Sequence, residues 1–215
     1  MGVNGYDGEQ ESSAHEIFAC YRGLRCVVIK GACIMGKEYS RENLVEMIKK
    51  AMWCVYRNEY WLIEQECHEL NIVGAFYHYF RCMFDSEFKE CSIDMEYSKQ
   101  GRESLPKEIK AKCSNKKCSN CGKDDHKHRI RSDFVIHHRG DNTRNILTLE
   151  FKGEWAKTNG NCDWDFEKLK VLTRKGTEEF SYSYGGFVKL EKNGVTITWF
   201  EDGDIMGQDT KFILS

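Results

Sequence analysis

From Ser40 onward the apolar positions recur at the period of a helix. Leu44, Ile48, Met52 and Val55 fall on one stripe, with Ser40 placed to cap it and Glu42 in the first turn. A second stripe runs through Leu62, Leu70, Val73, Tyr77 and Phe80, so the segment predicts one long buried helix, or two broken near Asn58. The period then drops to two. In "CSIDMEYS", Ile93 and Met95 alternate with Asp94 and Glu96, a strand with one apolar and one acidic side. "SDFVIHHRGDNTRNILTLEFKGEW" predicts two more strands, joined through the turn-forming cluster "RGDNTRN" as an antiparallel hairpin. "DWDFEKLKVLT" returns to helical spacing through Phe166, Leu169 and Leu172, with Gly176 beyond its end. "GGFVKLEK" and "GVTITWFEDG" close the chain as strands around Asn193-Gly194. This order predicts an α/β fold, a mixed sheet flanked by helices, over residues 40–215. Residues 1–39 read as a partly disordered extension with a short hairpin in "IFACYRGLRCVVIKGACIM".

Residues 99–131 interrupt the pattern. They hold the only proline, Pro106, many lysines and scarcely an aliphatic residue, which predicts a surface excursion between two strands. The whole chain of 215 residues, 40% hydrophobic and 31% charged, fits one substantial core. No apolar run nears the roughly 18 residues of a membrane helix, and the polar, acidic start "MGVNGYDGEQESSAHE" does not resemble a secretory signal. The expected location is therefore the cytosol, where the 11 cysteines stay reduced thiols, metal ligands or core residues. The net charge of −2 argues against broad polyanion binding, so any nucleic-acid surface has to be local.

Charges inside the hairpin supply the first candidate chemistry. Glu150 and Lys152 interrupt an apolar strand and, two residues apart, lie on one side of it, roughly 7 Å apart, while Leu149 and Phe151 face the core. Asp133 heads the neighbouring strand and is brought alongside Glu150 by the hairpin. Two carboxylates suit Mg2+, or Mn2+, held together with phosphate oxygens, and the lysine can orient a water or stabilise charge at phosphorus. His137 and His138 follow on the same strand. Alternation with an unbulged strand is expected to put His138 nearer Asp133, and both histidines read as structural or DNA-facing. Arg139 and Arg144 in the turn are candidates for phosphate contact, against the ordinary reading of solvated turn arginines. Asp163, Asp165 and Lys168 read as surface residues paired at helical spacing.

A second constellation lies in "KCSNKKCSNCGKDDHKHR". Cys113, Cys118 and Cys121, with either His126 or His128, make a set that can close a tetrahedral structural Zn2+, with Gly122 letting backbone amides approach the sulfurs. A segment so poor in aliphatic residues gains its order from a metal. Its cations, from Lys107 through Lys127, Arg129 and Arg131, form a local phosphate-tracking surface.

Through "HELNIVGAFYHYFR", "IDMEYS", "SDFVIHHRGDNTRNILTLEFK", "FEKLKVLT" and "YGGFVKL", about residues 56–200, the chain resembles the PD-(D/E)xK, or restriction-endonuclease-like, nucleases. It looks most like an uncharacterised bacterial branch. Ser132 stands where the family has proline before the aspartate. The resemblance implies a restriction-endonuclease-like core and divalent-metal-dependent cleavage of nucleic acid, DNA ahead of RNA, with a homodimer as a possible assembly. It makes Asp133 and Glu150 metal ligands and Lys152 the catalytic lysine, and implies a helix-borne acid that joins the metal. Glu69, four residues before the buried Val73, is the choice over Glu66 and Glu64. The rival reading is a non-catalytic binding module in which the zinc-stapled basic loop grips nucleic acid or a protein.

Overall fold

The computed structural model describes residues 17–20, 24–27, 39–101, 105–110, 127–156, 161–176, 180–207 and 209–214. The chain divides into two compact units, residues 1–35 and 36–215. In the first, β1 (Ile17–Cys20) and β2 (Leu24–Val27) form an antiparallel hairpin where the sequence predicts one.

The second unit begins with α1 (Arg41–Asn58), capped by the Ser40 hydroxyl, which accepts from the Asn43 amide at 3.3 Å. Leu44, Ile48, Met52 and Val55 are all buried, so the predicted stripe is the packed one. The predicted break near Asn58 is there, and a second follows. A short α2 (Tyr60–Glu64) leads into a turn in which Glu66 takes a left-handed φ of 53°, and α3 (Glu69–Phe84) starts afresh with His68 Nδ1 accepting from the Leu70 amide. Ile72, Val73, Phe76 and Phe80 form its buried face. Leu70, expected on that face, is exposed because it sits on the first turn, off the stripe.

After a 3-10 turn at Asp85–Phe88 come β3 (Ser92–Tyr97) and two short hairpin pairs: β4 (Lys99–Gln100) with β5 (Leu105–Pro106), and β6 (Glu108–Lys110) with β7 (Lys127–Arg129). The expected surface excursion is therefore anchored at both ends, where Ile109 and Ile130 are buried. The predicted hairpin is β8 (Ser132–His137) and β9 (Leu147–Gly153). Its turn is made by the Thr143 amide donating to Asp141 Oδ1 at 2.9 Å and by Gly140 at φ 91°. Then follow α4 (Asn161–Thr173), β10 (Tyr184–Glu191), β11 (Gly194–Glu201), β12 (Asp204–Ile205) and β13 (Thr210–Ile213).

Seven strands make one sheet in the order β12-β11-β10-β9-β8-β3, with β13 also on β11. Every pair is antiparallel except β9 with β10, which α4 connects as a crossover. The fold is thus α/β, a mixed sheet with helices on both faces. α1 and α3 cover one face through Phe134, Ile136, Leu147, Leu149 and Phe151. α4 covers the other through Val135, Phe187 and Phe200, meeting Leu169 and Leu172. Gly185 permits that approach, since a Cβ there would lie 2.9 Å from Thr173 Cγ2 of α4. No helix among the described residues is long and apolar enough to cross a membrane.

Candidate active site

Strand parity decides what faces α4. Phe134 pairs with Leu149, so the next residues outward, Asp133 and Glu150, stand opposite each other and share the α4 side with Val135, His137, Thr148 and Lys152. Asp133 Oδ2 accepts the Phe151 amide at 2.7 Å, extending the ladder by a side chain. Burial pushes the Asp133 carboxyl up to about 6, with the Phe151 amide and the Lys168 ammonium opposing and Asp165 and Glu96 adding to the rise. Glu150 is only 3% exposed. Burial holds its carboxyl well above the ordinary range, although Lys168 pulls the other way. Its Oε2 meets Lys168 Nζ at 2.5 Å, while its Oε1 is buried with no hydrogen-bond partner among the described residues.

Lys168 overturns its reading as a surface residue. It is 6% exposed, and besides Glu150 its Nζ donates to the Arg131 carbonyl at 3.2 Å and lies 3.4 Å from Asp165 Oδ1. Two carboxylates on either side keep it protonated despite its burial. A signal was present in the sequence: Lys168 falls three residues after Asp165 and four before Leu172, on the stripe that α4 turns toward the sheet. Asp163, by contrast, is exposed at the start of α4.

Lys152 ends the same strand face and pairs with Glu69, Nζ to Oε1 at 3.6 Å. The helix-borne acid chosen from sequence thus sits beside Lys152, on the first residue of α3. Glu66 is not one turn earlier on that helix; it lies in the preceding turn and pairs with Lys192 at 3.0 Å. Glu64 is exposed at the end of α2.

The hairpin charges have structural partners. Asp94 on β3 accepts from both Nε and Nη2 of Arg139 and lies 3.0 Å from His137 Nε2. These partners outweigh burial and hold the Asp94 carboxyl far below its usual range. His137, not His138, shares the Asp133 side, because residues 133, 135 and 137 have the same parity; His138 lies past the strand and pairs with Asp141 at 3.0 Å. Arg144 pairs with Glu90.

Lys107, expected among the exposed cations, is 2% exposed. Its Nζ donates to the Tyr182 hydroxyl at 3.0 Å and lies over the Tyr182 and Phe180 rings at 4.7 and 5.1 Å. Burial draws its ammonium down to about 7, Glu150 opposing and Lys168 assisting. Cys113, Cys118, Cys121 and His126 lie outside the described residues; His128, on β7, sets its ring against Trp164 of α4 at 4.7 Å.

Among the described residues no group of three or more His, Cys, Asp or Glu side chains is arranged to hold a metal. What the site offers is two facing carboxylates, one with an orphaned oxygen. That donor set fits a hard divalent cation that keeps several waters and takes one or two protein carboxylates. No protein-family model, curated protein or solved structure matches the chain.

Proposed function

We propose that the chain is a divalent-metal-dependent nuclease with a restriction-endonuclease-like core of the PD-(D/E)xK type, acting on DNA in preference to RNA. The observation that carries this reading is the buried Glu150 Oε1 without a partner, opposite Asp133 and on the same face as Lys152. A buried carboxylate oxygen with nothing to bind is costly to keep unless a ligand completes it.

Asp133 and Glu150 would hold Mg2+ or Mn2+, which supplies Lewis-acid stabilisation of the charge that builds on the scissile phosphate. Lys152 lies at the open end of the strand, where its ammonium orients a water and donates to that phosphate. Glu69 holds Lys152 in place, one pair at the junction of α3 and β9. Lys168 holds the Oε2 of Glu150 and offsets part of the burial that raises its carboxyl, while Asp165 pairs with the same ammonium. On this reading Glu69 is a positioning residue for Lys152 as well as a candidate metal ligand. The thiols Cys113, Cys118 and Cys121, with His126 or His128, would carry a structural Zn2+, and elemental analysis of protein purified without chelators is expected to find about one zinc per chain.

The test is cleavage of plasmid and oligonucleotide DNA in Mg2+, with EDTA controls. Glu150→Ala and Lys152→Ala are expected to lose cleavage by roughly a thousandfold. Equal cleavage by wild type and both variants rules the nuclease out and leaves the binding-module alternative.

A further inference from the structure

The proposed catalytic residues leave a large cavity unused. It measures about 330 Å³ and opens between the end of α1, α2 and the β10–β11 turn, lined by Trp53, Arg57, Tyr60, Lys192 and Asn193. Tyr56 builds its wall: the hydroxyl reaches the Glu191 and Gly194 carbonyls at 2.5 and 2.6 Å, fixing the turn against α1. Trp53 and Tyr60 remain 50% and 41% exposed, and Trp61 beside them 63%. Single exposed aromatics are ordinary; two lining one cavity, with a third exposed on the next residue, mark a contact surface.

The polar groups around these rings point to an anion. The Arg57 guanidinium lies over the Trp53 ring at 5.6 Å and pairs with no carboxylate among the described residues. The Lys192 ammonium pairs with the half-exposed Glu66, a pair that water or a ligand exchanges at small cost, while its backbone amide donates to Glu154 Oε1 at 3.1 Å. The Asn193 backbone carbonyl accepts from the Leu214 amide, and its side-chain amide, with no hydrogen-bond partner among the described residues, has donors and an acceptor to offer.

We propose that this cavity binds a nucleobase together with its phosphate. The base stacks on Trp53 and Tyr60, the Asn193 amide reads its edge, and Arg57 and Lys192 take the phosphate. The cavity lies at the end of the sheet where Lys152, next to the last residue of β9, stands opposite Lys189 of β10. Glu150 pairs with Phe187, and Lys192 lies five residues on, just past the end of β10 and roughly 16 Å away along the strand direction. The proposal rests on reading the chain as acting on nucleic acid. A free mononucleotide and a nucleotide within a single strand share this chemistry.

The two sources are separated by fluorescence polarisation of a labelled single-stranded DNA oligonucleotide in EDTA, where no cleavage occurs, with and without excess AMP. Trp53→Ala and Arg57→Ala, both at exposed side chains, are expected to weaken binding roughly tenfold. Competition by AMP that disappears in Arg57→Ala assigns the cavity to a free nucleotide; strand binding without competition assigns it to a strand. Full affinity in both variants, or no binding of either probe, overturns the proposal. So does a dimer in sedimentation that Trp53→Ala disrupts while binding is unchanged. Loss of cleavage in Glu150→Ala alongside full binding by Trp53→Ala and Arg57→Ala would sink the cavity and spare the nuclease; the reverse pattern would spare the cavity alone.

Discussion

On the α1/α3 side of the sheet, β8 and β9 present Phe134, Ile136, Leu147, Leu149 and Phe151, which close on Phe76 and Phe80 with ring centroids 5.0 to 5.1 Å apart where Phe76 meets Phe134 and Phe151 and Phe80 meets Phe134. On the α4 side the same two strands present Asp133, Thr148, Glu150 and Lys152, under Lys168. Both interiors are dehydrated, yet only the first gains stability from being so. The second carries two carboxyls pushed upward and a lysine drawn down to about 7, costs that folding alone does not explain. One face holds the sheet together and the other holds charges in place.

Breaking the polar face is expected to have the largest effect. Lys168→Met strips Glu150 of its one partner among the described residues and should cost about 3 to 5 kcal/mol in urea unfolding. The double variant Glu150→Gln/Lys168→Met should recover part of that loss, because the Glu150 carboxylate goes with its partner and only Asp165 and Asp133 still lose the ammonium. Equal destabilisation by single and double variants would mean that the pair does not act as a unit.

Leu149→Ala removes a fully buried side chain from the apolar face and should cost about 2 to 5 kcal/mol, while leaving the Mg2+ concentration needed for half-maximal cleavage unchanged. A shift in that concentration would show that the two faces are not separable. Lys107 sharpens the contrast through pH. Its folded value of about 7 lies below that of an unfolded lysine, so protonation opposes folding and stability should rise as pH climbs from about 7 toward the unfolded value of about 10. Lys107→Met should flatten that slope in urea midpoints taken at neutral and alkaline pH, and an undiminished slope would assign it to another group. The smallest effect belongs to the strand end. Glu69→Gln should shift Mg2+ activation by about tenfold through Lys152, with Glu66→Gln unchanged; a shift for Glu66→Gln alone would move the role to the preceding turn.

The apolar face was legible from sequence because alternation and the α1 stripe are local properties, and Leu149 and Leu44 landed where their spacing put them. Asp133, Glu150 and Lys152 were legible for the same reason, since parity within a hairpin fixes which side chains share a side. Lys107 was not, and Lys168 only through its place four residues before Leu172 on the α4 stripe. A lysine three residues from an aspartate looks the same whether the helix turns it to water or to a sheet, and only the return of Phe180 and Tyr182 after α4 buries Lys107. Parity also corrects the histidines. An odd step from Asp133 leaves its side of the strand, so His137 and not His138 reaches Asp94. Arg139, a candidate for phosphate, is bound by that same Asp94, a partner 45 positions away that no local pattern discloses.

The central claim, that Asp133 and Glu150 together hold a divalent cation, is tested most directly by Mn2+ binding, followed as loss of the free-ion paramagnetic resonance signal across pH 5 to 8. With Asp133 raised to about 6 and Glu150 held well above its ordinary range, protons on both compete with the metal, so wild-type affinity should climb through about pH 6, the step that belongs to Asp133, and go on rising above it. Asp133→Asn should lose this pH step, and Glu150→Gln should bind about tenfold more weakly or worse at every pH. Mn2+ binding of equal strength and equal pH dependence in wild type and both variants would contradict the account.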